Sequence, residues 1–166
     1  MSNTTALPKP IPSKIVCATY PKSGVLVELE YKEYRGLSEE LVIEVIRTWL
    51  GHHGYSVTSR KKSQKGPDLE AFAPTEKTLV LEAKGEGSRP EMFRNYFLAA
   101  LGQIVLRMNG SGATYVVALP SHEKYVSLVR KVPPPIRKKL GLEFWLVQPV
   151  TGILDYHIGV LKSDAE

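Results

Sequence analysis

Between residues 37 and 119 the apolar residues switch between helical and strand spacing three times. That order of periods restricts the fold more than any single motif does. Leu37, Leu41, Val42, Val45, Ile46 and Trp49 line one face of a helix over residues 37–50, with Ser38 able to cap its first turn. Residues 55–59, 68–72 and 79–84 are short runs bounded by Gly and Pro, which predicts strands. The last two are able to pair antiparallel through the 73–78 connection. Residues 89–109 return to helical spacing through Phe93, Phe97, Ala100, Leu101, Ile104, Val105 and Met108. Gly102 weakens that helix but permits close packing. Residues 113–119 then read as a buried strand ending at Pro120. A chain ordered this way is expected to be α/β, with a mixed central β-sheet flanked by α-helices.

The flanking segments add strands at 15–20 and 25–32, joined by a Lys22-Ser23-Gly24 turn. A helix is expected over 121–131. Pro133, Pro134 and Pro135 interrupt it, residues 136–140 restart as a short turn, and strands follow at 143–148 and 153–158. The chain of 166 residues is 43% hydrophobic, enough for one core. Residues 15–166 are therefore expected to form a single domain. Residues 1–14, with Pro8, Pro10 and Pro12, make an extended lead-in. Cys17 is the only cysteine, so no intrachain disulfide exists. No apolar run reaches the length of a membrane span or a secretory signal. A cytoplasmic protein without membrane contact is the expectation.

Chemistry concentrates in the two middle strands. Asp68 follows Gly66-Pro67, and Glu82-Ala83-Lys84 ends the next strand. Alternation puts Asp68 and Glu70 on one face, and Glu82 and Lys84 on one face, while the inter-strand register stays open. Two neighbouring carboxylates hold a hard divalent cation through oxygen, and an ammonium beside them adds a positive donor. These are the residue types of phosphodiester hydrolysis. They are also common decoration at strand ends, where Lys84 simply neutralises Glu82. Glu44 lies at the edge of the apolar arc of its helix, facing either solvent or the sheet margin. Tyr96, Gln103 and Arg107 share one margin of the later helix.

Pro67-Asp68 followed by Glu82-Ala83-Lys84, set on two strands between a Glu44-bearing and a Gln103-bearing helix, resembles the restriction-endonuclease-like PD-(D/E)XK nuclease superfamily. The likeness spans residues 37–119. More loosely, the Glu-Ala-Lys and Leu101-Gly102-Gln103 segments are similar to small nuclease-like DNA excision proteins, archaeal junction resolvases and Mrr-type restriction domains. The resemblance implies a metal-dependent endonuclease that hydrolyses DNA phosphodiester bonds, using Mg2+ with Mn2+ as a substitute. It implies Asp68 and Glu82 as primary metal ligands and the Ala83 carbonyl as a further oxygen. Lys84 would position the attacking water and stabilise phosphate charge. Glu44 would join the shell directly or through water, and Gln103 would orient Lys84, water or substrate. Glu70 is a secondary metal candidate.

The net charge of +5 favours an anionic partner without identifying it. Arg60, Lys61, Lys62 and Lys65 precede Asp68 and are suited to DNA phosphates, as is Arg89 in the Gly85–Pro90 connection. An ordinary solvated hairpin loop explains the first four almost as well. No histidine and cysteine set has zinc spacing, and no phosphate-binding nucleotide loop is present. A homodimer is expected if both strands of a duplex are cut. Two other functions fit the same residues. One is a noncatalytic nucleic-acid-binding or assembly module, and the other is a hydrolase of a small phosphate substrate.

Overall fold

The computed structural model describes residues 16–18, 37–60, 65–149 and 156–161. The lead-in, the strand expected at 25–32, and Lys61 and Lys62 lie outside the described residues. In chain order the elements are β1 (Val16–Ala18), α1 (Glu39–His52), β2 (Ser56–Ser59), β3 (Leu69–Phe72), β4 (Leu79–Ala83) and α2 (Pro90–Leu106). They continue with β5 (Thr114–Pro120), α3 (Glu123–Val129), α4 (Pro134–Leu140), β6 (Leu142–Pro149) and β7 (Tyr156–Leu161). The strands form one sheet in the order β1-β7-β6-β5-β4-β3-β2. It is mixed: β4, β5 and β6 run parallel, while β2, β3 and β4 form antiparallel neighbours, as do β6, β7 and β1. The expected α/β architecture, a mixed central sheet flanked by helices, is therefore the observed one.

Each face of the sheet is covered. On one side Val42, Ile46 and Leu50 of α1 pack on Leu69, Leu79, Leu81, Ala83, Val116 and Trp145. On the other side Phe93, Phe97, Ala100 and Ile104 of α2, with Tyr125 and Val129 of α3, pack on Val117, Leu119, Phe144 and Leu146. Alternate residues of β5 thus enter opposite cores, which is why its sequence reads as a continuous apolar run. Burying one such Ile or Phe contributes about 1.5–3 kcal/mol.

Local chemistry sets the element ends. Ser38 Oγ accepts from the Leu41 amide at 3.2 Å, and Glu39 and Glu40 sit in the first turn, where the helix dipole favours acids. Two expectations need correction. The proline run does not only interrupt: α4 begins at Pro134, because a first helical turn has no intrahelical use for the missing N–H groups. The last strand is described over Tyr156–Leu161, and residues 153–155 of the range expected for it lie outside the described residues. Gly102 is not a point of close packing either. Among the described residues nothing comes within 4 Å of a Cβ built there. No helix among the described residues is long and apolar enough to cross a membrane.

Candidate active site

The register of β3 on β4 decides which acids meet. Leu69 pairs with Leu81 and Glu70 with Val80, so Asp68, just ahead of β3, falls beside Glu82. The Asp68 amide donates to the Leu81 carbonyl at 3.1 Å, continuing the ladder by one residue. Asp68 Oδ2 in turn accepts from the Ala83 amide at 2.8 Å. The aspartate is therefore fixed by both its backbone and its side chain. In an extended strand the N–H and C=O of one residue point the same way, so the Ala83 carbonyl is directed to the Asp68 side of β4.

Glu82 faces the α2 side of the sheet and is only 1% exposed. A buried carboxylate needs a partner. Arg107, the C-cap residue of α2, supplies one: its Nε donates to Glu82 Oε1 in a close ion pair. Burial pushes the Glu82 carboxyl up, the neighbouring Asp68 charge pushes it further, and Arg107 and Lys84 pull it down, leaving it at about 7. Each carboxylate thus has one oxygen held by a donor. Among the described residues no hydrogen bond engages Asp68 Oδ1 or Glu82 Oε2.

Lys84 lies just past β4. Its Nζ is 3.3 Å from Glu39 Oε2 at the start of α1. Gly85 makes that meeting possible. A Cβ there would lie 2.5 Å from the Glu39 backbone nitrogen and 2.9 Å from the Ser38 carbonyl carbon. The Glu86 amide donates to the Leu37 carbonyl at 2.7 Å, and the Leu37 amide donates to Glu86 Oε2 at 3.4 Å. The segment after β4 is thereby tied to the entry of α1. Behind it, the Tyr125 hydroxyl donates to the Gly85 carbonyl at 2.7 Å. Burial, with lesser contributions from Tyr96, Glu86 and Glu39, pushes that hydroxyl well above its usual range.

The structure brings together Asp68, Glu82, Ala83 and Lys84. It does not bring Glu44 to them. Glu44 is exposed and engaged by Arg47 of the same helix at 2.6 Å. The acid that α1 delivers is Glu39, five residues earlier. Glu70 is also engaged elsewhere. It lies opposite Val80, two residues further along the strand than Asp68, and pairs with Arg60 at 3.2 Å. Gln103 is exposed on α2, one turn before Arg107, and does not orient Lys84. Arg60 spans the turn before Asp68, donating to the Lys65 carbonyl at 3.0 Å as well as to Glu70. Lys65 and Arg89 are exposed, the latter at the N-cap of α2.

The residues that sequence reasoning missed are Glu39, Arg107 and Tyr125. Glu39 lies in the first turn of α1, where the helix dipole favours an acid whatever its further role. Arg107 shared a helix margin with Gln103, which was the available signal. Among the described residues no cluster of three or more His, Cys, Asp or Glu side chains is placed to hold a metal ion. The donor set that does exist is two carboxylate oxygens and a backbone carbonyl. That fits Mg2+, which commonly takes one or two carboxylates and fills its octahedron with water and phosphate oxygens. No protein-family model matches the chain, and neither curated proteins nor solved structures give a match.

Proposed function

We propose that the protein is a divalent-cation-dependent endonuclease acting on DNA, with its centre at Asp68, Glu82, Ala83 and Lys84. The observation that carries this reading is the pairing of Asp68 with Glu82, each with one oxygen held and one open, beside the Lys84 ammonium. A Mg2+ or Mn2+ ion held by Asp68, Glu82 and the Ala83 carbonyl would supply water activation and charge neutralisation at a phosphate oxygen. Lys84 stabilises charge developing on the phosphate, and Glu39 keeps its ammonium beside the site. Lys65 and Arg89, with Lys61 and Lys62, hold the DNA backbone through phosphate contacts. Two copies acting on a duplex would cut both strands.

The test is cleavage of labelled duplex, single-stranded, flap, junction and RNA substrates with Mg2+ or Mn2+, with the Asp68→Asn protein as control. Cation-dependent cleavage by the native protein alone is expected. Its absence, with DNA binding intact and with every substrate offered, would overturn the reading. A second reading rests on one observation. Arg107 and Glu39 already neutralise Glu82 and Lys84. A noncatalytic DNA-binding module would keep those pairs for stability, and it would bind DNA without cutting it.

A further inference from the structure

Resting on the cation-site reading above, we infer that Arg107 is the positioning residue of Glu82. The Arg107 guanidinium holds Oε1 so that Oε2 stays directed into the site with the open oxygen of Asp68. Glu82 is buried, and Asp68 repels it electrostatically. Left alone, its carboxylate would swing away from Asp68. Asp68 cannot yield, because the Ala83 amide fixes Oδ2 and the ladder fixes its backbone. The restoring force must come from the α2 side, and Arg107 is the group that provides it.

The position of Arg107 suits that task. It closes α2, where a cation complements the negative end of the helix dipole. Its side chain is 26% exposed, whereas that of Glu82 is 2% exposed. The pair therefore has one end anchored in the core and one end at the surface. A guanidinium is planar and presents fixed N–H directions, so it orients a carboxylate as well as neutralising it. Lysine at this place would keep the charge and lose the geometry. Partners of this kind around a ligating side chain typically carry a 10–100-fold share of metal affinity.

The experiment is isothermal titration of the full chain with Mn2+, for the native protein, Arg107→Gln and Arg107→Lys, with thermal unfolding of each. Arg107→Gln is expected to bind Mn2+ roughly 10–100-fold more weakly, and Arg107→Lys to recover part of that loss. A folded Arg107→Gln that binds Mn2+ as the native protein does would make the ion pair merely structural and overturn the inference. Tighter binding would overturn it too, since Arg107 would then compete with the cation. If Arg107→Gln does not fold, Arg107→Lys decides: binding equal to or tighter than native sinks the inference. A native protein that binds no Mn2+ removes the cation site itself, and the inference with it. That failure is separate from native-like binding by the variants.

Discussion

Burial and Asp68 disfavour the charged form of Glu82, whereas Arg107 and Lys84 favour it. The folded carboxyl titrates at about 7, above its ordinary value of 4.5. Between those values the folded protein holds a proton that the unfolded chain has released, so stability falls as pH rises through the window. The loss attributable to Glu82 is on the order of 3 kcal/mol for a shift of this size. Urea unfolding at pH 5 and pH 7.5, without divalent cation, measures it. Glu82→Gln is expected to flatten the slope, and an unchanged slope would contradict the burial argument. Lys84 makes a different prediction. Its pair with Glu39 is partly exposed, so Lys84→Ala costs about 1 kcal/mol or less. Turnover is expected to fall by roughly a hundredfold or more, in the range of removing one donor aimed at developing charge. A folded variant that cleaves normally would remove Lys84 from the chemistry. The shared face of Glu82 and Lys84, and that of Asp68 and Glu70, were legible in the sequence through the parity of strand alternation. Arg107 was not, because its partner is 25 residues away and meets it only through the packing of α2 on β4.

At the level of elements, the contact between α1 and the end of β4 organises the site. Gly85 lies against the Ser38–Glu39 backbone with no room for a side chain. Gly85→Ala must push the start of α1 away, at about 1–3 kcal/mol, and part Glu39 from Lys84. Gly102→Ala meets only open space within the described residues and removes a mid-helix glycine, so it should stabilise by about 1 kcal/mol. Thermal unfolding of both variants tests the pair of signs, and loss of stability in both would contradict it. The helical and strand spacings showed where α1, β3, β4 and α2 lie. They did not show which end of α1 touches β4. That choice depends on a close backbone approach, and it is why Glu39 rather than Glu44 reaches Lys84. The β3–β4 register was hidden for a related reason. Leu69, Leu81 and their neighbours specify which face is buried, but the pairing itself arises from the connection between the strands.

For the whole molecule, the proposed function makes the net charge of +5 the property that would draw it to a polyanion. Neutralising Lys61 and Lys62 together should weaken DNA binding uniformly across sequences and lower the slope of log affinity against log salt by up to about two. Fluorescence anisotropy over a salt series reads both effects, and an unchanged slope would assign these lysines to the solvated surface. Arg60 should behave otherwise, because it is committed to Glu70 and the Lys65 carbonyl and shapes the turn ahead of Asp68. The central strands were readable from the order of periods, since Tyr115–Leu119 and Phe144–Val147 are buried on both faces and read as continuous apolar runs. The central claim is that Asp68 and Glu82 form one cation-dependent cleaving centre. The most direct measurement is the single-turnover rate of duplex DNA cleavage against Mn2+ concentration, for the native protein and Asp68→Asn. A saturable, chelator-sensitive rate for the native protein, with Asp68→Asn folded and inert or needing far more Mn2+, is the predicted result. Equal rates for the two proteins, or native cleavage that persists in chelator, would contradict it.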